Sequence, residues 1–184
     1  MSDLFDNADL PSGPPSGAGL ACRPLADRLR PKTMSDVVGQ SQLLGPEAPL
    51  SVMLSSGQLS SLIFWGPPGV GKTTMARLLA RETDLHFVQI SAIFTGVAEL
   101  KKVFEAARIR HQNGYGTLLF VDEVHRFNKA QQDGFLPHME DGTILLVGAT
   151  TENPSFELNA AILSRAQVLV LERLTLADLE LLCQ

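Results

Sequence analysis

A run of glycines and prolines constrains the fold of this chain more than any other feature. Residues 66–73 read Gly-Pro-Pro-Gly-Val-Gly-Lys-Thr and match the phosphate-loop pattern G-x-x-x-x-G-K-[ST]. The apolar run 62–65 precedes the loop, and a helix-periodic run with Met75, Leu78 and Leu79 follows it. A chance Lys-Thr in a glycine-rich turn is the alternative, but the order of strand, loop and helix favours a phosphate site.

The residue types in the loop explain how it would hold a nucleotide. Glycines at 66, 69 and 71 let successive N–H groups point inward, and a helix starting near Gly71 adds its positive dipole end. Lys72 can reach the β- and γ-phosphates, and the Thr73 hydroxyl can ligate Mg²⁺. The predicted nucleotide-binding residues of this segment are Gly66, Pro67, Pro68, Gly69, Val70, Gly71, Lys72, Thr73 and Thr74.

Further apolar runs indicate the rest of the sheet. The runs 62–65, 118–121, 144–147 and 168–171 lack polar alternation, as is typical of strands buried on both faces of a parallel sheet. The run 85–90 is interrupted by polar residues, which favours an edge strand. Val97, Leu100, Val103, Phe104 and Ala107 recur at helical spacing and predict one apolar helix face. These patterns predict a three-layer α/β sandwich around a mainly parallel five-stranded sheet.

Length and composition limit the domain organisation. The 184 residues, 45% of them hydrophobic, suffice for one domain with a packed core. Residues 1–20 are rich in Pro, Gly, Ser and Asp and are predicted to be a disordered tail, followed by the core at 21–173. Thr175 is a plausible N-cap for a new helix, so we expect residues 174–184 to begin a truncated further domain.

Charge and cysteine usage narrow the function classes. The net charge of −5 gives no support to nucleic-acid binding through the bulk field, so any DNA contact would need a local basic patch. Cys22 and Cys183 lie far apart without metal-ligand spacing, which argues against zinc and a disulfide framework and suggests a reducing cytoplasm. No apolar run approaches the roughly 18–20 residues that cross a bilayer, so no membrane association is predicted.

A second motif supplies acidic chemistry. Asp122 and Glu123 directly follow the strand at 118–121, which places them at the carboxyl edge of the sheet. There Asp122 can hold Mg²⁺ beside Thr73, and Glu123 can accept a proton from an attacking water. An acidic surface turn is the alternative, and the position downstream of the phosphate loop favours the catalytic pair.

Four weaker signals each have an ordinary structural explanation. A hydroxyl in the segment 148–153 could orient the water or contact the γ-phosphate, but a Thr/Asn turn capping a helix is the commoner explanation. Arg165 precedes a strand, where arginine is ordinarily solvated or a salt-bridge partner. His125 without a second ligand at suitable spacing indicates a hydrogen-bonding or solvated histidine. The basic residues between 101 and 111 fit a charged outer helix face better than a DNA contact.

Taken in order, these segments resemble a known family. Residues 24–31, 63–69, 120–129 and 148–159 resemble AAA+ ATPases of the clamp-loader and Holliday-junction-motor branch. More narrowly, they resemble the replication-associated recombination protein A family, kin to the eukaryotic Werner-helicase-interacting protein. The resemblance covers about 24–174 and implies an AAA+ form of the P-loop NTPase sandwich, with the lid domain truncated.

The resemblance also implies residue roles. Lys72 and Thr73 would be the Walker A pair, and Asp122 and Glu123 the Walker B pair. Thr151 would be the sensor-1 residue that contacts the γ-phosphate.

Two further roles come from the same resemblance. Arg165 would be the arginine finger acting in trans on the ATP of a neighbouring subunit in a homo-oligomer, although Ala166 replaces the usual Cys. The segment around Val38 would cover the adenine. The helical lid, with its second sensor arginine, and the tetramerisation region of the family do not follow in this sequence, so full activity is expected to need the lid and an oligomer.

The expected function follows from these roles. The resemblance implies an ATP- and Mg²⁺-dependent ATPase that acts on DNA at stalled forks or single-strand gaps, in the cytoplasm at the nucleoid. A single-strand-binding protein or a sliding clamp is a further candidate partner. Ser2–Phe5 resembles the end of a sliding-clamp-binding peptide, although a generic acidic tail is the commoner explanation. The alternatives are a clamp-loader or branch-migration subunit, and a nucleotide-binding module without turnover.

Overall fold

The structure is a computed structural model that describes residues 30–182. The chain divides into two compact units, Met1–Arg30 and Pro31–Gln184, and every element below belongs to the second. The predicted tail at 1–20, the segment up to residue 29, and both cysteines lie outside the described residues. Within the described part of the chain, no helix is long and apolar enough to cross a membrane.

Five parallel strands form one sheet, as predicted. The strands are β1 Ser61–Trp65, β2 His86–Ser91, β3 Thr117–Asp122, β4 Leu145–Thr150 and β5 Ala166–Val170. They lie in the order β2-β3-β4-β1-β5, and every neighbouring pair is parallel. β2 is an edge strand, which confirms the inference from its interrupted apolar run.

Nine helices and two 3₁₀ turns precede, connect or follow the strands in residues 30–182. The helices are α1 Ser41–Leu44, α2 Pro49–Ser56, α3 Lys72–Glu82, α4 Val97–Gln112, α5 Lys129–Asp133, α6 Leu136–Glu140, α7 Pro154–Glu157, α8 Ala160–Leu163 and α9 Leu176–Leu182. The 3₁₀ turns span Met34–Asp36 and Val124–Arg126. Thr175 caps α9, because its hydroxyl accepts a hydrogen bond from the backbone N–H of Asp178.

Alternate residues of the central strands enter two separate apolar cores. Leu62 and Phe64 of β1 pack with helix α3 on one face of the sheet. Ile63, between them, packs on the opposite face with helix α4. Side chains of a strand point alternately to the two sides, so helices on both faces bury the whole strand. The result is the predicted three-layer α/β sandwich.

Two details of the predicted packing are wrong. β5 is an edge strand that pairs only with β1, and Val168 and Val170 are 37% and 45% exposed, although its apolar sequence predicted burial on both faces. An apolar run indicates that a segment forms a strand, but it does not show whether a helix packs against that strand. Val97, expected on the buried face of α4, begins the helix and is exposed, whereas Leu100 and Phe104 are buried.

The strand register places the candidate site at one edge of the sheet. Trp65, the last residue of β1, pairs with Thr150 of β4 and with Val170 of β5. The next residue, Gly66, donates its backbone N–H to the carbonyl oxygen of Thr150 at 3.2 Å. The loop after β1 therefore starts beside the end of β4, at the carboxyl edge where open α/β sheets bind ligands.

Candidate nucleotide site

The phosphate loop has the backbone shape that its glycines predicted. Gly69 and Gly71 adopt positive φ angles of 82° and 96°, which other residues rarely adopt. At Gly66 the reason for glycine is contact, because a Cβ atom there would overlap the carbonyl oxygen of Leu171. Helix α3 then begins at Lys72, with Gly71 as its N-cap. Loop and helix thus form the turn that points backbone N–H groups toward an anion.

Lys72 is held inside this loop. The side chain is buried, and its Nζ donates hydrogen bonds to the carbonyl oxygens of Gly66, at 2.6 Å, and Pro67, at 2.9 Å. Burial lowers the pKa of Lys72, and the nearby carboxylates of Glu123 and Asp122 partly oppose that effect. The ammonium group is therefore held in the loop, and it also interacts electrostatically with the carboxylates of Asp122 and Glu123.

The ionised form of the Asp122 carboxyl group, at the end of β3, is disfavoured by its surroundings. Burial raises the pKa of this carboxyl, and the neighbouring Glu123 raises it further. The charge of Lys72 and a backbone hydrogen bond from the Glu123 N–H act in the opposite direction. A cation brought to this carboxylate would relieve the repulsion, which is the behaviour expected of a metal ligand.

Glu123 has an unusual backbone conformation and a fixed carboxylate. Its φ of 52° lies in the left-handed region, which costs energy for a residue with a side chain and concentrates at functional sites. The hydroxyl of Thr151 donates to its Oε2 at 3.3 Å. The structure therefore brings together two residues, 28 positions apart, that the sequence predicted for one site.

The acidic motif includes a contact that sequence reasoning missed. The Nδ1 atom of His125 lies 2.9 Å from the Thr150 hydroxyl and 3.3 Å from Oε2 of Glu123. His125 is therefore the hydrogen-bonding histidine that we considered, but its partners were not predicted. In residues 30–182 no group of three or more His, Cys, Asp or Glu side chains could hold a metal alone.

The chain has residues suited to Mg²⁺ and a triphosphate. Thr73 supplies a hydroxyl oxygen at the start of α3, and Asp122 supplies a carboxylate oxygen, the ligand types that Mg²⁺ takes. Mg²⁺ is usually bound by one or two protein oxygens together with substrate phosphates rather than by an all-protein cage. At Gly69 and Gly71 a Cβ would meet no atom of residues 30–182 within 4 Å, so the glycine turn leaves room for phosphate oxygens.

The segment predicted to cover the adenine is held in place by Gln40, for which sequence reasoning indicated no such role. Val38 is half-buried, and Gln40 follows in a left-handed conformation. The Gln40 side chain donates to the Glu172 carbonyl at 2.7 Å and accepts from the Glu172 N–H at 3.1 Å. These two bonds fix the segment to the chain after β5. Gln40 and Glu172 are 132 positions apart, so no local signal could have revealed the pair.

Arg165 lies apart from the other predicted site residues. It precedes Ala166, the first residue of β5, which pairs with Ser61 at the start of β1. The guanidinium bonds Glu140 at 2.6 Å and donates to the Ala161 carbonyl and the Ser164 hydroxyl. The five residues of β1 span about 17 Å, so Arg165 and the phosphate loop occupy opposite edges of the sheet.

Comparison with known proteins agrees with this geometry. Residues 62–174 match the family described as "ATPase family associated with various cellular activities (AAA)". The chain belongs to the AAA family. The matched segment starts in β1 and runs past β5, so this AAA region contains the phosphate loop, the acidic pair, Thr151 and Arg165.

Individual relatives of this AAA chain are close in sequence. It is 53% identical over 158 residues to "Replication-associated recombination protein A" of Escherichia coli K12, covering 86% of this chain and 35% of that protein. It is 47% identical over 159 residues to "ATPase WRNIP1" of Dictyostelium discoideum, covering 86% of this chain and 18% of that protein. The chain thus spans about a third or less of the length of these relatives. Both names agree with the resemblance seen in the sequence.

Solved structures share the AAA fold. The chain superimposes on a Thermotoga maritima RuvB structure, titled a Holliday junction branch migration motor, with a TM-score of 0.66 and 30% identity. The match covers 84% of this chain and 52% of that one. A structure of a RuvB variant from the same organism gives a TM-score of 0.67 at 27% identity, covering 84% of this chain and 52% of the other.

Proposed function

We propose that this chain binds ATP with Mg²⁺ and hydrolyses it, as the AAA core of a longer protein that maintains DNA during replication and recombination. One observation carries the catalytic part of the proposal. The Glu123 carboxylate is held by Thr151 at the sheet edge where Lys72 lies in the phosphate loop. A fixed base, a buried cation and a glycine loop at one edge suit phosphoryl transfer to water.

The binding roles follow from the loop geometry. Backbone N–H groups of Gly66–Thr74 and the ammonium of Lys72 would hold the phosphates, with Lys72 exchanging its two loop carbonyls for phosphate oxygens. Thr73 and Asp122 would hold Mg²⁺, which neutralises developing phosphate charge when bound. The segment around Val38, held by Gln40, would cover the adenine.

The hydrolytic role belongs to Glu123. A water oxygen attacks the γ-phosphorus, the bond from that phosphorus to the ADP oxygen breaks, and the water proton passes to the Glu123 carboxylate. The hydroxyl of Thr151 keeps that carboxylate in place and would contact the γ-phosphate. The raised pKa of Asp122, caused by burial and by the neighbouring Glu123, supports a site that is completed by bound cations.

Arg165 would complete the site of another subunit. Because it lies at the amino edge of the sheet, roughly 17 Å of strand separates it from its own phosphate loop. Its salt bridge with Glu140 keeps the guanidinium at the protein surface, where a neighbour can reach it. We therefore propose a homo-oligomer in which Arg165 stabilises transferring phosphate in trans.

The biological setting is inferred from the relatives. Relatives 47–56% identical include proteins named for replication-associated recombination, whereas the RuvB motors are 27–30% identical. The higher identity to the first group favours a protein that acts on DNA at stalled forks or gaps, in the cytoplasm at the nucleoid. It disfavours a clamp-loader or branch-migration subunit. A single-strand-binding protein or sliding clamp stays a predicted partner. The peptide Ser2–Phe5, which resembles the end of a clamp-binding peptide, lies outside the described residues.

A turnover assay tests the proposal directly. Purified chain is given ATP and Mg²⁺, and nucleotide affinity and phosphate release are measured with and without single-stranded and forked DNA. We expect micromolar binding and release that depends on Mg²⁺, with DNA increasing the rate. Binding without release from this chain and from a longer protein that contains it would instead identify a nucleotide-binding module.

A further inference from the structure

We propose that His125 is a positioning residue that holds the Glu123 carboxylate against strand β4. The inference rests on the proposed role of Glu123 as the base. It assigns to His125 a role that neither the phosphate-loop motif nor the acidic pair requires. His125 would act through Glu123 and would not itself contact the nucleotide.

The first step of the argument is burial. The His125 side chain is only 6% exposed, and its Nδ1 faces both the Thr150 hydroxyl, at 2.9 Å, and Oε2 of Glu123, at 3.3 Å. Thr150 is the last residue of β4, and Glu123 follows the last residue of β3. A single ring nitrogen therefore bridges the ends of two neighbouring strands, both of which carry predicted site residues.

The second step fixes where the hydrogen of the ring lies. Nδ1 lies 3.3 Å from Oε2 of Glu123, an oxygen that can only accept hydrogen bonds, so a lone pair on Nδ1 would be repelled there and a hydrogen on Nδ1 is favoured. The Thr150 hydroxyl has one hydrogen, which it donates to the Glu152 carbonyl at 3.1 Å, while its oxygen accepts from the Glu152 N–H at 3.0 Å. That oxygen is thus an acceptor toward His125 as well. Both neighbours therefore favour the Nδ1–H form of the ring, which donates to Thr150 and also faces Oε2 of Glu123.

The third step concerns which carboxylate oxygen is engaged. The Thr151 hydroxyl and the His125 ring both reach Oε2 of Glu123. One hydrogen bond, from Thr151, and one close contact, with His125, on the same oxygen orient the carboxyl group and reserve Oε1 as the oxygen that accepts a proton from water. Glu123 also has a strained positive φ, so its conformation needs support from surrounding contacts. Without His125, one 3.3 Å bond from Thr151 would hold the group.

The consequence is a mechanical link between two catalytic strands. Any shift of β4 relative to β3 would move Thr150, and through His125 it would move the carboxylate of Glu123. A base misplaced by about 1 Å can cost roughly 10²-fold in rate without affecting substrate affinity. A purely structural buried histidine would stabilise the fold but would not affect turnover selectively.

Two isopolar variants separate these roles. In His125→Asn the amide nitrogen can take the place of Nδ1, whereas in His125→Gln it lies at the distance of Nε2 and misses both partners. His125→Phe keeps a ring but removes the donor. We expect His125→Gln and His125→Phe to lower kcat about 10²-fold with nearly unchanged ATP affinity, and His125→Asn to retain most of the rate. Melting temperatures of the three variants report any loss of folding.

A spectroscopic measurement makes the test independent of turnover. Long-range ¹H–¹⁵N spectra of the chain at neutral pH should show a hydrogen on Nδ1 of His125. A ring protonated only at Nε2, or equal kcat values for the Asn and Phe variants, would overturn the proposal. If no protein containing this chain hydrolyses ATP, the proposed function fails, and the tautomer measurement still decides whether His125 donates to Glu123.

Discussion

Lys72 closes the phosphate loop on itself, because its Nζ donates to the carbonyl oxygen of Gly66 six residues earlier. A second bond, to Pro67, makes the ammonium part of the loop before any anion arrives. On the role proposed for Lys72, nucleotide binding would exchange these two carbonyl partners for phosphate oxygens. The Lys72 ammonium group already lies in the loop, so binding would change its hydrogen-bond partners and not its position.

Lys72→Ala should weaken ATP binding. A hydrogen bond to a charged group contributes about 1.5–3 kcal/mol, so the variant should bind ATP roughly 10- to 100-fold more weakly. Calorimetry or a fluorescent ATP analogue measures the affinity. Lys101→Ala, which removes an exposed lysine from α4, is the matched control and should bind normally. Unchanged affinity in the Lys72 variant would contradict the assignment of the loop.

Glu123→Gln should separate binding from turnover. The amide keeps the size of the side chain but cannot accept the proton, so phosphate release should fall about 10²- to 10⁴-fold while ATP stays bound. Single-turnover phosphate release and nucleotide retention report the two steps. Glu152→Gln changes an exposed acid just after Thr151 and should leave the rate near that of the parent. Equal rates for both variants would show that Glu123 is not the base.

Arg165→Ala should abolish turnover without affecting nucleotide binding. Loss of an arginine finger lowers the rate about 10³- to 10⁵-fold in related chemistry. Mixing this variant with Lys72→Ala should restore part of the activity, because intact loops then meet intact arginines of neighbouring subunits. Arg108→Ala, which breaks the exposed pair with Glu105, is the control. No recovery on mixing, in a longer protein that assembles, would argue against action in trans.

Asp122→Asn should stabilise the fold at neutral pH. The pKa of Asp122 is raised in the folded protein, so its contribution to stability is complete below the ordinary value of 3.8 and is lost as pH rises through the raised pKa. The variant should thus melt above the parent at pH 7, and the difference should shrink in acid. Melting curves across pH measure it. Asp141→Asn should not stabilise, because its hydrogen bonds with Thr143 lower the pKa of that carboxyl. A lower melting temperature for Asp122→Asn at pH 7 would contradict the argument.

Gly66→Ala should destabilise the protein through contact alone. The added methyl group overlaps the Leu171 carbonyl oxygen, and such overpacking costs about 1–3 kcal/mol. Gly96→Ala places the same group in open space at a negative φ and should change stability little. Urea denaturation of both variants checks the difference. Equal free energies of unfolding would show that the backbone at residue 66 moves aside freely.

The sequence predicted those parts of the molecule that depend on local pattern. The glycines of the phosphate loop and the apolar runs specify turn shape and strand identity, so the loop and all five strands were placed correctly. The burial of β5 was predicted wrongly, because burial depends on whether a helix packs against the strand and not on the sequence of the strand itself. His125 and Gln40 were missed as structural anchors for the same kind of reason. The hydrogen-bond partners Thr150 and Glu172 lie 25 and 132 residues away, and neither distance leaves a local signal.

The opposite placement of the phosphate loop and Arg165 has a consequence for assembly. A subunit with its loop at one edge of the sheet and its arginine at the other presents two different surfaces to its neighbours. A two-fold pair in which each arginine reached the other subunit's loop would need one interface running the full length of the strands, about 17 Å. Where the loop surface of one subunit meets the arginine surface of the next, the contact is head-to-tail and closes into a ring or continues as a filament. The separation of the two groups along the strands thus gives such an assembly a direction.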